Sequence, residues 1–363
     1  MVYLHVPFCR SFCSYCDFYS EIACRDRDAQ DFEAFTDAVC AEIALRRDEI
    51  EATRDLDTLY IGGGTPSVLP LSLLRKMAAA TIMTGGPFNE FTIEVNPEDI
   101  VERGAEYVRG LLALGVNRIS MGVQSLDDGI LRWMNRRHDA ARARQAFRIL
   151  REAGAQNISV DIIFGLSQLS REQLETTVAE ILSWRPEHIS AYQLSIEPGS
   201  TLGWLVREGR YTEAPQEQCA AQYALLCDQL RAAGYVHYEI SNWALPGFEA
   251  VHNSAYWTRH PYVGLGPSAH SFDGQRRSWN PSDLIAWLRQ QTPDSETLSE
   301  TESREEQIFL GLRTARGIPE GLPDPVRTAA MLADGRLIKI DGGRVRIPEE
   351  RWFVSDDLLA ELI

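Results

Sequence analysis

Three cysteines within eight residues, Cys9, Cys13 and Cys16, are the side chains of this chain best suited to do chemistry. They read Cys9-Arg-Ser-Phe-Cys13-Ser-Tyr-Cys16, and thiolates are ligands for zinc and for iron–sulfur clusters. A structural zinc site wants four protein ligands, usually in two paired halves, and no fourth cysteine stands in this loop. A CxxxCxxC triplet can instead hold three irons of a cubane and leave the fourth iron open to a small molecule. A zinc site and a chance cluster are the competing readings.

The elements that must position this loop are legible as hydrophobic runs. Strands are predicted at Val2–Val6, Leu56–Ile61, Phe91–Val95, Arg118–Val123, Ser159–Phe164 and Ile189–Leu194. Helical periodicity fills the gaps, at about 31–50, 71–80, 101–114, 139–153 and 171–184. Strict β/α alternation predicts a parallel sheet with helical crossovers. Polar or glycine-rich clusters follow each strand: the cysteine loop, Gly62-Gly63-Gly64-Thr65-Pro66, Asn96-Pro97-Glu98, Gln124-Ser125, Gly165-Leu166 and Glu197-Pro198-Gly199. In an αβ barrel those strand ends form the active face. The expected fold is therefore α/β, a partial (β/α)6 TIM-like barrel over residues 1–234. Residues 235–292 read as a connecting segment rich in aromatics and histidine, and residues 293–363 as a small C-terminal α+β domain of winged-helix type. In that tail, Leu337–Ile340 and Arg344–Ile347 flank the hairpin signal Asp341-Gly342-Gly343.

Composition removes several classes. The 363 residues carry 36 basic and 52 acidic side chains, a formal charge of −16. Such a chain is poorly suited to nucleic acid, whose binding relies on basic side chains. No apolar run reaches the roughly 18–20 residues of a membrane span. The segment from Met1 to Cys9 is neither basic nor long enough for a signal peptide. A cytoplasmic, reducing location is expected, peripheral at the inner membrane face if the chain meets a membrane at all. There seven cysteines do not form a disulfide framework, and Cys24, Cys40, Cys219 and Cys227 read as inert, buried thiols.

Taken together, the cluster triplet and the motifs after the strands resemble the radical S-adenosylmethionine (SAM) superfamily. The resemblance covers almost the whole chain. It implies a [4Fe-4S] cluster on Cys9, Cys13 and Cys16, an electron donor for it, and SAM on the open iron, cleaved by one electron. It also implies SAM contacts from Gly63, Gly64 and Thr65, from Glu94, from Gln124 in Ser120-Met-Gly-Val-Gln124, from Arg136 in Asn135-Arg136-Arg137-His138, and from Asp161 in Val160-Asp161-Ile162. Tyr3, Tyr15 and Ser195 align with SAM contacts as well. A bland alternative for Arg136 is a surface ion pair, and for Asp161 a satisfied core carboxylate. The family's usual Gly-Leu-Pro after the fifth strand is Gly165-Leu166-Ser167 here.

Within the superfamily the chain resembles the coproporphyrinogen III oxidase-like branch, and in it the HemW-like haem chaperones more than the oxidase HemN. HemN has a further cysteine two residues after the last cluster ligand, where this chain has Phe18. Eight residues precede Cys9, too few for HemN's N-terminal arm. His252-Asn253-Ser254-Ala255-Tyr256-Trp257 matches the HNxxYW motif of the chaperones. The resemblance implies haem as cargo, haem-accepting respiratory proteins as partners, and a homodimer as one possible assembly. His252 is the candidate haem residue, with His260 and His270 behind it and Arg259, Arg276 and Arg277 as candidate propionate partners. The rivals are oxygen-independent coproporphyrinogen III oxidation, another radical SAM transfer such as methylation, and a binding module with a purely structural cluster.

Overall fold

A computed structural model describes residues 1–23 and 28–363. Cys24 lies outside the described residues; Cys219 and Cys227 are buried, and Cys40 is half-buried. Six β/α units run in order: β1 (Val2–Val6) and α1 (Asp28–Leu45), β2 (Thr58–Gly63) and α2 (Leu71–Ile82), β3 (Glu90–Val95) and α3 (Pro97–Ala113). They continue with β4 (Arg118–Gln124) and α4 (Ala140–Glu152), β5 (Ile158–Phe164) and α5 (Arg171–Trp184), β6 (His188–Gln193) and α6 (Gln216–Ala232). The β-branched and aromatic runs made these segments strands, buried along nearly their whole length as parallel strands under helices must be. Leu59, Ile61, Ile93, Ile119, Met121, Val160 and Ile189 join one apolar core with the inner faces of the helices.

The sheet does not end with β6. Strands β7 (Val236–Glu239) and β8 (Asn242–Ala244) add antiparallel beyond β6. After α7 (Val251–Trp257), β9 (Val263–Leu265) pairs parallel with β1 at the opposite edge. The spatial order is β9-β1-β2-β3-β4-β5-β6-β8-β7, an open barrel whose two edge strands do not pair with each other. The segment expected to be a separate connector, 235–292, thus supplies three strands of the main sheet. Their hydrogen bonds, rather than their composition, decide where they belong, and composition does not report a non-local partner.

A small sheet, β10 (His270–Phe272), β11 (Arg276–Trp279) and β12 (Asp294–Thr297), follows. Strand β12 pairs with β11, and α8 (Glu300–Gly311) opens the C-terminal unit that follows. Its start is written in a capping box, in which Ser299 and Glu302 satisfy each other's backbone N–H. The unit continues with β13 (Ile318–Pro319), α9 (Pro325–Ala333), the hairpin β14 (Ile338–Ile340) and β15 (Arg344–Arg346), and α10 (Ser355–Leu362). Its own core gathers Ile308, Leu312, Met331, Val345, Trp352 and Leu359. Ile240 N–H to Arg313 O (3.1 Å) and Ala315 N–H to Tyr238 O (2.9 Å) tie the unit to the segment around β7.

Parallel register brings the strand ends level. Val6 pairs with Gly63, Val95 with Met121, and Gly122 and Ser190 both with Asp161. The loops carrying the candidate site residues therefore emerge side by side.

Candidate functional site

The cysteine loop is held from three sides. Gly64 and Thr65 donate backbone N–H to Val6 O and Phe8 O, both at 2.8 Å. Ser14 N–H reaches Met134 O (3.1 Å), and Asn135 Nδ2 reaches Phe12 O (2.7 Å), fastening the loop to the segment after β4. Leu202 N–H binds Ser14 O (2.8 Å) from the segment after β6. The triple glycine has a packing reason as well as any ligand reason. Gly63 has φ +106°, and a Cβ there would lie 2.6 Å from the His5 ring; at Gly64 it would lie 2.8 Å from Phe8 O.

All three thiols are half-buried. Burial pushes the Cys9 thiol up, against a 3.5 Å contact with Thr65 Oγ1, and pushes Cys16 up to about 11 with the neighbouring thiols adding to it. Without a metal, Cys9 and Cys16 are neutral; ligation requires thiolates, so cluster insertion would release protons.

A hydrogen-bonded chain joins Cys9 to Cys13 through the barrel mouth. Cys9 Sγ meets Thr65 Oγ1, which accepts from Asn96 Nδ2 (3.1 Å). Asn96 Oδ1 accepts from Arg136 Nη2 (2.8 Å), and Arg136 Nη1 donates to Cys13 Sγ (3.4 Å). Arg136 Nη2 also donates to Gly122 O (2.7 Å). Tyr15 lies beside Arg136 and Cys13. Among the described residues Arg136 makes no ion pair; the guanidinium points at the thiol loop. Asn96 was visible in the sequence only as part of a polar cluster after a strand. At the N-cap of α3 an Asn side chain would be expected to cap the helix, and only the structure shows that it makes no cap bond and turns to Arg136 and Thr65 instead.

Deeper in the barrel, Glu94 accepts from Tyr60 OH (2.7 Å) and from Gly63 N–H (3.1 Å). Asp161 accepts from Ser120 Oγ (3.4 Å) and is also bonded by Ser190. Burial raises Glu94 to about 7 and Asp161 to about 6, while Arg118, almost wholly buried, pulls both back down. Tyr60, Arg118 and Ser190 were missed in the sequence, because nothing local marks a strand residue as facing a barrel interior. Tyr3 OH is bonded to His5 Nδ1 (3.1 Å), and His5 Nε2 to Tyr19 O (2.8 Å), which makes His5 a support for the loop. Ser195 is exposed and bonded to Glu197.

Two polar atoms at this mouth have no partner. Gln124 has φ +68°, follows a register shift in β4, and its Oε1 is buried without a hydrogen bond; Arg136 Nε is buried likewise. Orphaned buried polar atoms are uncommon, and these two sit where a polar ligand would satisfy them. With three thiols in one loop, the donor set fits an iron–sulfur cluster with a polar small molecule beside it.

His252, the candidate haem residue, is engaged within the protein itself. The ring is 1% exposed, with Nδ1 bonded to Thr58 Oγ1 (2.8 Å) and Nε2 to Tyr256 OH (3.1 Å). Burial lowers it to about 3, so it is neutral, and neither nitrogen is free for iron. The HNxxYW segment is a fastening: the Val251 and His252 N–H groups both donate to the Glu90 carboxylate at 2.8 Å, at the foot of β3. His252→Ala should cost about 2–3 kcal/mol in chemical denaturation, the price of unpairing buried hydroxyls, and leave haem affinity unchanged. A tenfold weaker haem complex with unaltered stability would restore the ligand role. The candidate propionate partners are also engaged: Arg259 and Arg277 share Glu306, and Arg276 binds Ser295 (2.9 Å). His260 is bonded to Asp55 (2.7 Å), and His270 is exposed against Trp279.

Comparison with known proteins agrees with this geometry. The radical SAM superfamily model matches residues 3–181. The haem chaperone HemW of Bacillus subtilis is 35% identical over 325 residues, covering 87% of this chain and 84% of its own length. HemW of Mycobacterium tuberculosis is 31% identical over 374 residues, covering 100% and 94%. The solved structure of coproporphyrinogen III oxidase (HemN) from Escherichia coli superposes with a TM-score of 0.78 at 19% identity, over 99% of this chain and 89% of that one, a likeness of fold. The chain belongs to the radical SAM superfamily and, within it, to the family of the haem chaperone HemW. That family membership implies a [4Fe-4S] cluster and SAM. No helix among the described residues is long and apolar enough to cross a membrane.

Proposed function

We propose that this protein is a haem chaperone that binds haem and hands it to haem-dependent respiratory proteins, with the cluster and SAM supporting or gating the transfer. The observation that carries this is the identity of 31–35% to HemW proteins along 87–100% of the chain. When bound, the cluster supplies an electron to SAM. Cys9, Cys13 and Cys16 hold the cluster, and Arg136 and Thr65 steady two of the thiolates by hydrogen bonds. Gly63, Gly64, Glu94, Gln124 and Asp161 receive SAM, with Tyr3 and Tyr15 as walls. Glu94, raised to about 7, is part-protonated near neutral pH, and a cationic ligand would favour the ionised form of both Glu94 and Asp161. An electron donor reaches the cluster from the face where Phe12 and Phe18 are exposed, 48% and 70%. The chaperone works in the cytoplasm and meets its acceptors at the membrane face.

The rival supported by a specific observation is coproporphyrinogen III oxidation, through the HemN-like fold. Phe18 stands against it. Optical titration of the reconstituted protein with haem, followed by transfer to an apo-haem acceptor, tests the proposal. Stoichiometric binding and transfer are expected. Failure to bind haem, or conversion of coproporphyrinogen III with SAM, would overturn it.

A further inference from the structure

Far from the barrel mouth, a cleft of about 620 Å³ separates the β7 edge and α6 from the C-terminal unit. Four arginines line it: Arg231 from α6, Arg316 from the turn before β13, and Arg344 and Arg346 from β15. In a chain with sixteen more acidic than basic side chains, this concentration calls for an explanation. The acids of the lining are two, Glu349 and Asp341. Glu349 is already matched, by Arg231 (2.8 Å) and by His237 Nδ1 (3.0 Å). Among the described residues no ion pair neutralises Arg316, Arg344 or Arg346.

Their placement is built rather than incidental. Arg344 donates from Nε to Arg316 O (2.9 Å) and from Nη2 to Gly317 O (2.6 Å), which fixes its guanidinium and leaves Nη1 unused. The turn carrying Arg316 cannot readily change: Gly317 has φ +60°, and a Cβ there would lie 2.2 Å from Val345 O. Arg346 lies beside it on the same strand, and its Nε is buried without a hydrogen-bond partner. The unpartnered Nε of Arg346, with no counter-charge beside it among the described residues, is open to an anion.

A cation site is the opposite possibility, because Cys227, His237 and Glu349 bring donor atoms within 4.8 Å of one another. Arg231 caps that carboxylate, and the surrounding guanidinium groups oppose a metal ion.

We propose that this cleft is a binding site for a small polyanion bearing two carboxylate or phosphate groups, held by Arg316, Arg344 and Arg346. Planar guanidinium forks match both groups in bidentate geometry. Two sources share this chemistry: the paired propionates of a haem, which would rest on the proposed function, and a free polyphosphate, which would not.

The test uses full-length protein and two probes, haem by optical titration and inorganic pyrophosphate by calorimetry. Arg316→Gln/Arg346→Gln removes two forks without touching the bonds of Arg344; Arg148→Gln, on the exposed face of α4, is the control. At least one probe should bind wild type and weaken about tenfold or more in the double variant, and weaken in wild type with added salt. Weakening of haem alone assigns the cleft to the propionates, and weakening of pyrophosphate alone assigns it to phosphate. If neither probe is weakened, or the Arg148 control weakens both equally, the cleft proposal falls. Wild-type haem binding that ignores the arginines leaves the chaperone function standing and removes haem from the cleft. Absence of any haem binding removes the chaperone function, while the pyrophosphate measurement still decides the cleft.

Discussion

Replacing Cys13 by alanine should abolish the iron–sulfur cluster, dropping iron in anaerobically reconstituted protein from about four per chain to near background. The reason is stoichiometric. Three thiols of one loop supply the ligands, and a cubane with one open iron has no spare ligand among them to lose. Cys9→Ala and Cys16→Ala should behave alike. Cys219→Ala and Cys227→Ala should keep full iron, because those thiols are buried on α6, away from the loop. Arg136→Ala should be milder: it removes the 3.4 Å donor to Cys13 and the link to Asn96, but no ligand. Zinc retained in place of iron, or iron retained by the Cys13 variant, would contradict the cluster assignment.

The second large effect is on pH and stability. Glu94 is raised from 4.5 to about 7 and Asp161 from 3.8 to about 6, in both cases chiefly by burial. Below about pH 3 both carboxyls are largely protonated folded and unfolded, and they cost nothing. As pH rises past the unfolded values, the unfolded chain ionises freely while the folded one stays protonated. The folded state then binds more protons, so stability falls, and the fall is complete above about pH 7. At about 1.4 kcal/mol per unit, each group contributes a loss of about 3 kcal/mol, a large share of ordinary domain stability. SAM-free protein should therefore melt at a lower temperature at pH 8 than at pH 5. Glu94→Gln/Asp161→Asn should remove much of that slope. The slope is the readout, because neutralising both acids also strips Arg118 of its counter-charges and lowers stability at every pH. An unchanged slope in the double variant would show that these carboxyls ionise normally.

Much of this architecture was legible in the chain. Alternating β-branched runs and helical periodicity located all six strands of the barrel to within two residues, since parallel strands under helices need continuous apolar stretches. The cluster loop was legible because its ligands are neighbours in sequence. Glu94 and Asp161 stood out as charges inside apolar strands. The limits were equally physical. Strands β7, β8 and β9 were hidden because each is short and finds its partner far away, β9 on β1 and β8 on β6. The surroundings of His252 were hidden because a motif states which residues are present and not which way a ring faces. Its partners, Thr58 and Tyr256, lie on a distant strand and one helical turn on, and they decide that it fastens α7 to the barrel.

By itself, then, the sequence determined the local chemistry: three thiols at fixed spacing, the strands that carry the polar loops, and the glycines that let the second loop approach the first. Tertiary structure alone decided which polar groups meet. The Cys9–Thr65–Asn96–Arg136–Cys13 chain draws on the loops of four different β/α units and closes only when parallel register levels the strand ends. The arginine cleft likewise takes one side from the barrel edge and the other from the C-terminal unit, residues about a hundred positions apart. Spacing along a chain records bonded distance, whereas a site depends on through-space distance and burial, which folding alone supplies.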